Sequence, residues 1–273
     1  MIFLQPHSGL ANRIRVIVSG ISLAKKLNQP IVLIWRKDAG CNIEFYELFE
    51  PIKGLIVKEY SLKFFIMNMI RGKKYFTWIP RLIGIDFYMF DENFKEFVWN
   101  NNRYKLDACL LKKSIKNIYI NACHDFCDGN DEFAQFVPAD RIKALILENT
   151  KYFTLKTVGI HIRRADNNQS IKNSPTELFV DQIQKDIDED NDVNFFLATD
   201  DTATEQFLKN QFPGKIFSAK KQYNRNSREG MTGAMVDLYC LSKSAKIYGS
   251  YWSSFSDVAA QIGGISLEVM KGN

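Results

Sequence analysis

After residue 155, short apolar runs alternate with amphipathic helical patterns, and this alternation constrains the fold more than any other feature. Four helical patterns separate five predicted strands, and each crossing is near the minimum length for a parallel connection. Such a chain must fold into a parallel sheet that helices cover on both faces. The predicted strands are residues 157–162, 193–198, 215–217, 245–248 and 265–269.

The first 35 residues predict a strand, a glycine-containing loop, a helix and a second strand, which is a βαβ unit. Residues 36–150 are less regular, and only 115–120 are clearly typical of a strand. A helix is predicted around residues 141–147, and the regular second half follows it. We therefore predict two domains, 1–150 and 151–273, of which the second is Rossmann-like.

Composition and charge limit the function classes. With 46% hydrophobic and 25% charged residues, the chain is typical of a globular protein. The net charge of +5 comes from residues 1–150, which hold 21 Lys and Arg against 16 Asp and Glu, whereas the rest holds 15 of each. This surplus suits an anionic ligand or a peripheral contact with lipid headgroups, and it is too small to indicate a nucleic-acid partner.

The N-terminus and the cysteines favour a cytoplasmic protein. The first residues lack a basic segment followed by a long apolar run, and no apolar run reaches the roughly 18 residues of a membrane span. Five cysteines, an odd number, suit reduced thiols better than a disulfide framework. Cys123, His124 and Cys127 offer three metal ligands at most, so we predict buried thiols there and no metal site.

Polar side chains follow the first strand of the second half. His161, Arg163, Arg164 and Asp166 lie where the strand 157–162 ends. Ligands of open parallel sheets bind beyond the carboxyl ends of the strands, and the planar guanidinium matches phosphate oxygens. The residues therefore indicate an anion site. The alternative is an ion pair of either arginine with Asp166 in a solvated turn.

Similar clusters follow other strands. Ser253 and Ser254 open a helix after the fourth strand of this half, where hydroxyls and free backbone N–H groups bind phosphate. Asp200 follows the second strand, and Asp237 lies within a helical pattern. The alternatives are helix capping for the serines and for the turn at Asp200, and a solvated or paired carboxylate for Asp237.

Gly9, Asn12 and Arg13 form a cluster in the first βα loop, where the backbone of a glycine can pass close to a ligand. The alternative is an ordinary turn glycine with an exposed arginine. The loop alone does not distinguish these interpretations.

Together and in this order, the clusters resemble the motifs of the α1,6- and protein O-fucosyltransferase superfamily. The resemblance covers the first 30 residues and residues 155–265, and residues 36–150 take no visible part in it. The motifs are Gly-Leu-Ala-Asn-Arg at 9–13, His-Ile-Arg-Arg-Ala-Asp at 161–166, Phe-Leu-Ala-Thr-Asp-Asp at 196–201, Asp-Leu-Tyr-Cys-Leu-Ser at 237–242 and Ser-Ser-Phe-Ser at 253–256.

The resemblance implies a GT-B architecture, with two Rossmann-like domains facing a cleft. It also implies transfer of fucose from GDP-fucose to a glycan or another hydroxyl acceptor, with inversion and without a required metal or cofactor. In that family's pattern Arg163 would bind the β-phosphate. The implied catalytic residues are Arg163, Asp166 and Asn12, and the implied donor-binding residues are Gly9, Arg13, His161, Arg164, Asp200, Asp237, Ser253 and Ser254.

One departure from the family concerns the general base. The α1,6-enzymes carry a glutamate several residues after the double arginine, whereas residues 167–175 contain no carboxylate here. Asp166 is the nearest candidate base, although it would equally orient Arg164, and a dissociative reaction would need little base assistance. Three alternatives stay open: another nucleotide-sugar, a non-catalytic nucleotide- or glycan-binding protein, and a dinucleotide oxidoreductase, which the lack of a G-x-G-x-x-G motif disfavours. Residues 36–150 are expected to hold the acceptor.

Overall fold

The computed structural model describes residues 1–71, 78–90, 99–100, 103–104, 115–220, 222 and 224–272. The chain forms two compact units, Met1–Val137 and Pro138–Asn273. The helix Asp140–Thr150 packs against a helix of the second unit, so the division precedes it. The domain boundary predicted near residue 150 comes after this helix.

The first unit contains a five-stranded parallel sheet in the order β3-β2-β1-β7-β4, and β1, α1 and β2 form the predicted βαβ unit. Strands β5 and β6 pair separately as an antiparallel ribbon. The elements are β1 (Ile2–Pro6), α1 (Leu10–Leu27), β2 (Ile31–Trp35), α2 (Phe45–Leu48), β3 (Leu55–Glu59), α3 (Leu62–Met69), α4 (Ile79–Leu82), β4 (Phe87–Phe90), β5 (Trp99–Asn100), β6 (Arg103–Tyr104), β7 (Ile118–Ala122) and a 3₁₀ segment (Asn130–Gln135).

The second unit contains a parallel sheet in the order β10-β9-β8-β11-β12, with helices between its strands. The predicted doubly wound α/β architecture is confirmed, and α6 is an addition to it. The elements are α5 (Asp140–Thr150), β8 (Thr157–Ile162), α6 (Asn168–Asn173), α7 (Thr176–Glu189), β9 (Asn194–Thr199), α8 (Thr202–Gln211), β10 (Ile216–Phe217), α9 (Arg228–Ser242), β11 (Lys246–Ser250), α10 (Ser254–Gly263) and β12 (Ser266–Met270).

Strand β8 is the centre of the second sheet, and all six of its residues are buried. Ile160 and Ile162 pack in one core with Phe179 of α7, as the alternation along the strand predicts. Burying each such side chain stabilises the fold by about 1.5–3 kcal/mol. On the other face Gly159 admits α9, because a Cβ there would lie 2.9 Å from Leu241 Cδ2. The core therefore fixes the carboxyl end of β8 from both sides.

The strand order reverses at β8, because the chain runs from β8 to β9 and β10 on one side and then crosses to β11 and β12 on the other. The carboxyl ends of β8 and β11 therefore border a topological switch point, where ligands of open α/β sheets bind. In the first unit β1 occupies the equivalent place between β2 and β7.

Candidate functional site at the carboxyl ends of β8 and β11

Hydrogen bonds join the ends of β8 and β11 at the switch point. The backbone N–H of Arg163, the first residue after β8, donates to Ser250 Oγ at 3.1 Å. The hydroxyl of Ser250, the last residue of β11, donates to the carbonyl oxygen of His161 at 3.3 Å. These bonds hold the base of the Arg163 side chain at the predicted position.

Four charged side chains meet beside these strand ends, and we call Arg163, Asp166, Asp200 and Arg225 the four-charge cluster. Arg163 Nη2 donates to Asp166 Oδ1, and Arg163 Nε lies 3.1 Å from Asp200 Oδ2. Arg225 Nη1 lies 3.2 Å from Asp166 Oδ2, and Arg225 Nη2 lies 3.7 Å from Asp200 Oδ2. The ion pair of Arg163 with Asp166, the alternative that the sequence left open, is thus present.

The two carboxylates of the cluster differ in their surroundings. Asp200 is 17% exposed, and its Oδ1 accepts hydrogen bonds from the backbone N–H groups of Arg164 (2.6 Å) and Ala165 (3.2 Å). Asp166 is 59% exposed. Asp200, predicted to bind the donor, therefore supports the turn that carries Arg163, whereas Asp166 is a displaceable partner.

Asp201, next to Asp200, caps α8. Its Oδ2 accepts hydrogen bonds from the backbone N–H of Thr204 (2.7 Å) and from Thr204 Oγ1 (2.6 Å). These bonds, the side-chain one foremost, lower the pKa of the Asp201 carboxyl from its ordinary value. The capping alternative for this turn thus applies to Asp201.

The guanidinium of Arg164 is used within the protein. Its Nη2 donates to the carbonyl oxygen of Ser174 at 2.7 Å and to Thr176 Oγ1 at 2.9 Å, and its Nη1 donates to the carbonyl oxygen of Arg163 at 2.9 Å. Burial lowers the pKa of this guanidinium. Arg164 was predicted to bind the donor. In the structure its hydrogen bonds join the two ends of the segment between β8 and α7.

The carboxylate-free stretch 167–175 holds the chain that follows β11. Asn167 caps α6 and also donates from Nδ2 to the carbonyl oxygen of Trp252 at 2.9 Å. Ser170 Oγ donates to the carbonyl oxygen of Tyr251 at 2.6 Å, and the Tyr251 N–H donates to Ser174 Oγ at 2.7 Å. This role was not predicted, and the recurring Asn and Ser side chains are the signal in the sequence that could have indicated it.

The helix α10 begins at Ser254, and Ser253 occupies its N-cap position. Within the described residues the Ser253 side chain makes no capping hydrogen bond. The first N–H groups of a helix lack partners inside it, so they and this hydroxyl are donors that an anion can use. Gly249 lets α10 lie against β11, since a Cβ there would be 2.5 Å from Ser256 Oγ.

His161 and Asp237 lie inside the second unit. His161 on β8 is 4% exposed, and its ring centroid is 4.9 Å from that of Phe255 on α10. Asp237 on α9 is also 4% exposed. Both residues belong to elements that pack together, since α9 packs against β8 and α10.

In the first unit, Gly9 and Asn12 lie at the start of α1. Gly9 is the N-cap with a φ of −69°, and a Cβ added there would meet none of the described atoms within 4 Å. The fold itself therefore does not require glycine at this position. Asn12 lies in the first turn of α1 and is half-buried.

Arg13 was predicted to bind the donor, with an exposed arginine as the alternative. Its side chain has no exposed surface. Its Nε donates to the carbonyl oxygen of Ser8 at 2.9 Å, its Nη1 donates to that of Arg36 at 2.5 Å, and its Nη2 lies 2.8 Å from Asp38 Oδ2. The guanidinium also lies over the ring of Trp35, at 4.8 Å. Arg13 therefore joins the loops after β1 and β2.

The described cysteines, Cys41, Cys123, Cys127 and Cys240, are free thiols, and Cys109 lies outside the described residues. Burial raises the pKa of Cys41 to about 11. Within the described ranges, no group of three or more His, Cys, Asp or Glu side chains is arranged to hold a metal ion. A helix long and apolar enough to span a membrane is also absent from those ranges.

No family model and no curated protein matches the chain. Solved structures match along nearly all of it. NodZ α-1,6-fucosyltransferase soaked with GDP-fucose is 19% identical with a TM-score of 0.63, over 96% of this chain and 92% of that one. An Arabidopsis thaliana FUT1 mutant in complex with GDP is 16% identical with a TM-score of 0.60, over 98% and 69%. POFUT1 in complex with GDP is 12% identical with a TM-score of 0.60, over 98% of both chains.

At these identities the comparisons show the fold. The chain has the architecture of solved GT-B fucosyltransferases, with two Rossmann-like sheets, so the resemblance drawn from the motifs is confirmed at that level.

Proposed function

We propose that the protein is a glycosyltransferase that transfers a sugar, fucose foremost, from a GDP-sugar to a hydroxyl acceptor. The observation that carries the proposal is the position of Arg163 at the switch point of the second sheet, beside a displaceable carboxylate. The matching structures include one soaked with GDP-fucose and one in complex with GDP, which supports a guanosine diphosphate as the ligand here.

The charge of Arg163 is available to a diphosphate despite its ion pairs. Asp166 is 59% exposed, and ion pairs of this kind contribute only about 0–1 kcal/mol. A charge-assisted hydrogen bond to a desolvated phosphate contributes about 1.5–3 kcal/mol. We therefore expect an oxygen of the diphosphate to replace Asp166 as the partner of Arg163 Nη2, while Asp200 stays paired with Arg163 Nε.

A second set of donors lies at the N-terminus of α10. The N–H groups of its first turn and the hydroxyl of Ser253 would bind the oxygens of the same diphosphate, as the helix dipole favours. We include Ser254 in this set, and we propose that His161 and Asp237 form the nucleoside end of the site.

The proposed reaction inverts the anomeric centre. An acceptor oxygen bonds to the anomeric carbon on the face opposite GDP, while the bond from that carbon to the phosphate oxygen breaks and its electron pair leaves with GDP. Negative charge grows on the leaving diphosphate, so Arg163 stabilises the transition state more than the ground state. In this scheme Arg163 supplies the cation, a metal is not required, and Asp166 is the candidate acceptor of the hydroxyl proton.

Several finer points stay predictions. They are acceptor binding by residues 36–150, part of which lies outside the described residues, a contribution of Asn12 at the sugar and of Gly9 to donor binding, a cytoplasmic location and a role in carbohydrate biosynthesis.

Calorimetric titration with GDP, UDP and GDP-fucose tests the donor assignment. We expect GDP and GDP-fucose to bind and UDP to bind more weakly, whereas a preference for UDP would show that the donor is another nucleotide-sugar. Release of GDP from GDP-fucose, with and without candidate glycans, then tests catalysis. A protein that binds GDP but never consumes the donor would be a binding protein instead.

A further inference from the structure

We propose that Arg225 is a positioning residue of the donor site, which holds Asp166 when the diphosphate replaces that carboxylate on Arg163. The inference rests on the proposed function and deepens it. Arg225 lies outside every motif that predicted the site, and its role follows from its place in the four-charge cluster.

Arg225 is presented by a well-fixed turn. The carbonyl oxygen of Asn224 accepts hydrogen bonds from the Ser227 N–H (3.2 Å) and Ser227 Oγ (2.8 Å), and Asn224 Oδ1 accepts one from the Asn226 N–H (2.9 Å). Gly230 in the first turn of α9 is necessary for this arrangement, since a Cβ there would lie 1.9 Å from the Asn224 oxygen. The backbone beneath Arg225 is therefore anchored to α9.

Asp166 is shared between the two arginines through its two oxygens. Oδ1 accepts from Arg163 Nη2, and Oδ2 lies 3.2 Å from Arg225 Nη1. Arg225 is 34% exposed and Arg163 is 17% exposed, so the shared carboxylate links the inner guanidinium to the outer one. Asp166 can therefore leave Arg163 without losing its counter-charge.

This sharing changes what the diphosphate must displace. With Arg225 present, only the Oδ1 contact breaks when Arg163 Nη2 turns to a phosphate oxygen, and the carboxylate stays paired. Without Arg225, Asp166 has Arg163 as its remaining partner in the cluster, so the carboxylate competes directly with the ligand for Arg163. Arg225 would thus promote donor binding through Asp166, without touching the donor.

A double-mutant cycle on GDP affinity tests the proposal, with calorimetry on the wild type, R225A, D166A and the double variant. Because a partly exposed ion pair contributes little, we expect R225A to weaken GDP binding by about three- to fivefold. In the D166A background the same substitution should leave the affinity unchanged. R225K should restore most of it, since lysine can also pair with Asp166.

The matched control is Arg228→Ala, which removes an exposed positive charge three residues away and should leave GDP affinity unchanged. Thermal unfolding of each variant checks folding, and R225Q replaces R225A if the latter does not fold.

A penalty that persists in the D166A background would mean that Arg225 acts on the ligand directly or through Asp200, and either result overturns positioning through Asp166. Equal GDP affinity of R225A and the wild type would overturn it as well. A wild-type protein that binds no GDP would contradict the proposed function and this inference together. If the wild type binds GDP but the double-mutant cycle shows no coupling between Arg225 and Asp166, only the inference is contradicted.

Discussion

The loops that follow β1 and β8 occupy the same place in their two sheets, and each leads to an arginine. The two arginines differ in burial and in the kind of partner that they bind. The side chain of Arg13 is wholly buried, and two of its three polar partners are backbone carbonyl oxygens. Arg163 lies beside Asp166, a carboxylate that is 59% exposed. An arginine at a strand end therefore becomes part of the framework or part of a site according to whether its partners can leave.

The adjacent residues Arg163 and Arg164 repeat this contrast within one loop. Arg164 binds the carbonyl oxygens of Ser174 and Arg163, which the backbone fixes in place. Only Arg163 has a partner that a ligand can displace without opening the fold. Substitutions at the three arginines should accordingly separate activity from stability.

The largest effect is expected for R163A on turnover. Removing one preorganised electrostatic donor lowers a rate by about a hundredfold or more, so kcat/KM for GDP-fucose should fall by at least that factor. R163K should recover part of it, because lysine keeps the charge and loses the planar fork. Urea unfolding should show stability close to that of the wild type, and an equally large effect of Arg228→Ala would contradict a specific role.

R13A should act on stability. The substitution leaves Asp38 and two carbonyl oxygens without their buried partner, which we expect to lower the free energy of unfolding by about 3 kcal/mol. Urea denaturation measures this difference, with Arg81→Ala as the exposed control. A variant as stable as the wild type but unable to use the donor would reverse our assignment of Arg13 to the framework.

R164A should be intermediate. It removes the hydrogen bonds to Ser174 and Thr176, and we expect a loss of about 2 kcal/mol in unfolding free energy. GDP affinity should fall less than in R163A, because the arginine beside the ligand remains. A larger loss of affinity than in R163A would show that Arg164 binds the diphosphate directly.

The smallest effect is expected at the cap of α8. D201A should cost about 1 kcal/mol of unfolding free energy at neutral pH. Because the pKa of Asp201 is lowered in the folded protein, the carboxylate stabilises the fold above its unfolded pKa. That contribution is lost as the pH falls through the lowered folded value, below about 4.

Urea unfolding of wild type and D201A between pH 7 and pH 3 checks this, and their difference should shrink toward the acid end. D201N keeps a capping oxygen that does not titrate, so its difference from D201A should stay constant with pH. A wild-type advantage over D201A that grows on acidification would contradict the hydrogen-bonded cap.

The second sheet could be predicted well from the sequence because its central strands are continuous apolar runs. Strand β8 is buried on both faces, so its residues form an uninterrupted apolar run bounded by polar ones. Strands β3 and β4 lie at the edges of the first sheet, and β3 is largely exposed. The apolar pattern of β3 and β4 was too weak to distinguish these two strands from the irregular segments around them.

The position of Arg163 could be predicted from the sequence, but its partners could not. The place of Arg163 follows from the strand alone, since β8 ends at Ile162. The support by Asp200 and the sharing of Asp166 with Arg225 depend on residues 35 to 59 positions away, brought together only by the sheet and by the start of α9. The burial of Arg13 has the same origin, because Asp38 and Arg36 follow another strand.

A crystal structure of the wild type soaked with GDP tests the central claim most directly. We predict that an oxygen of the β-phosphate takes the place of Asp166 on Arg163 Nη2, while Asp200 stays beside Nε and Asp166 stays beside Arg225. GDP bound elsewhere, with Arg163 still paired to Asp166, would contradict the account.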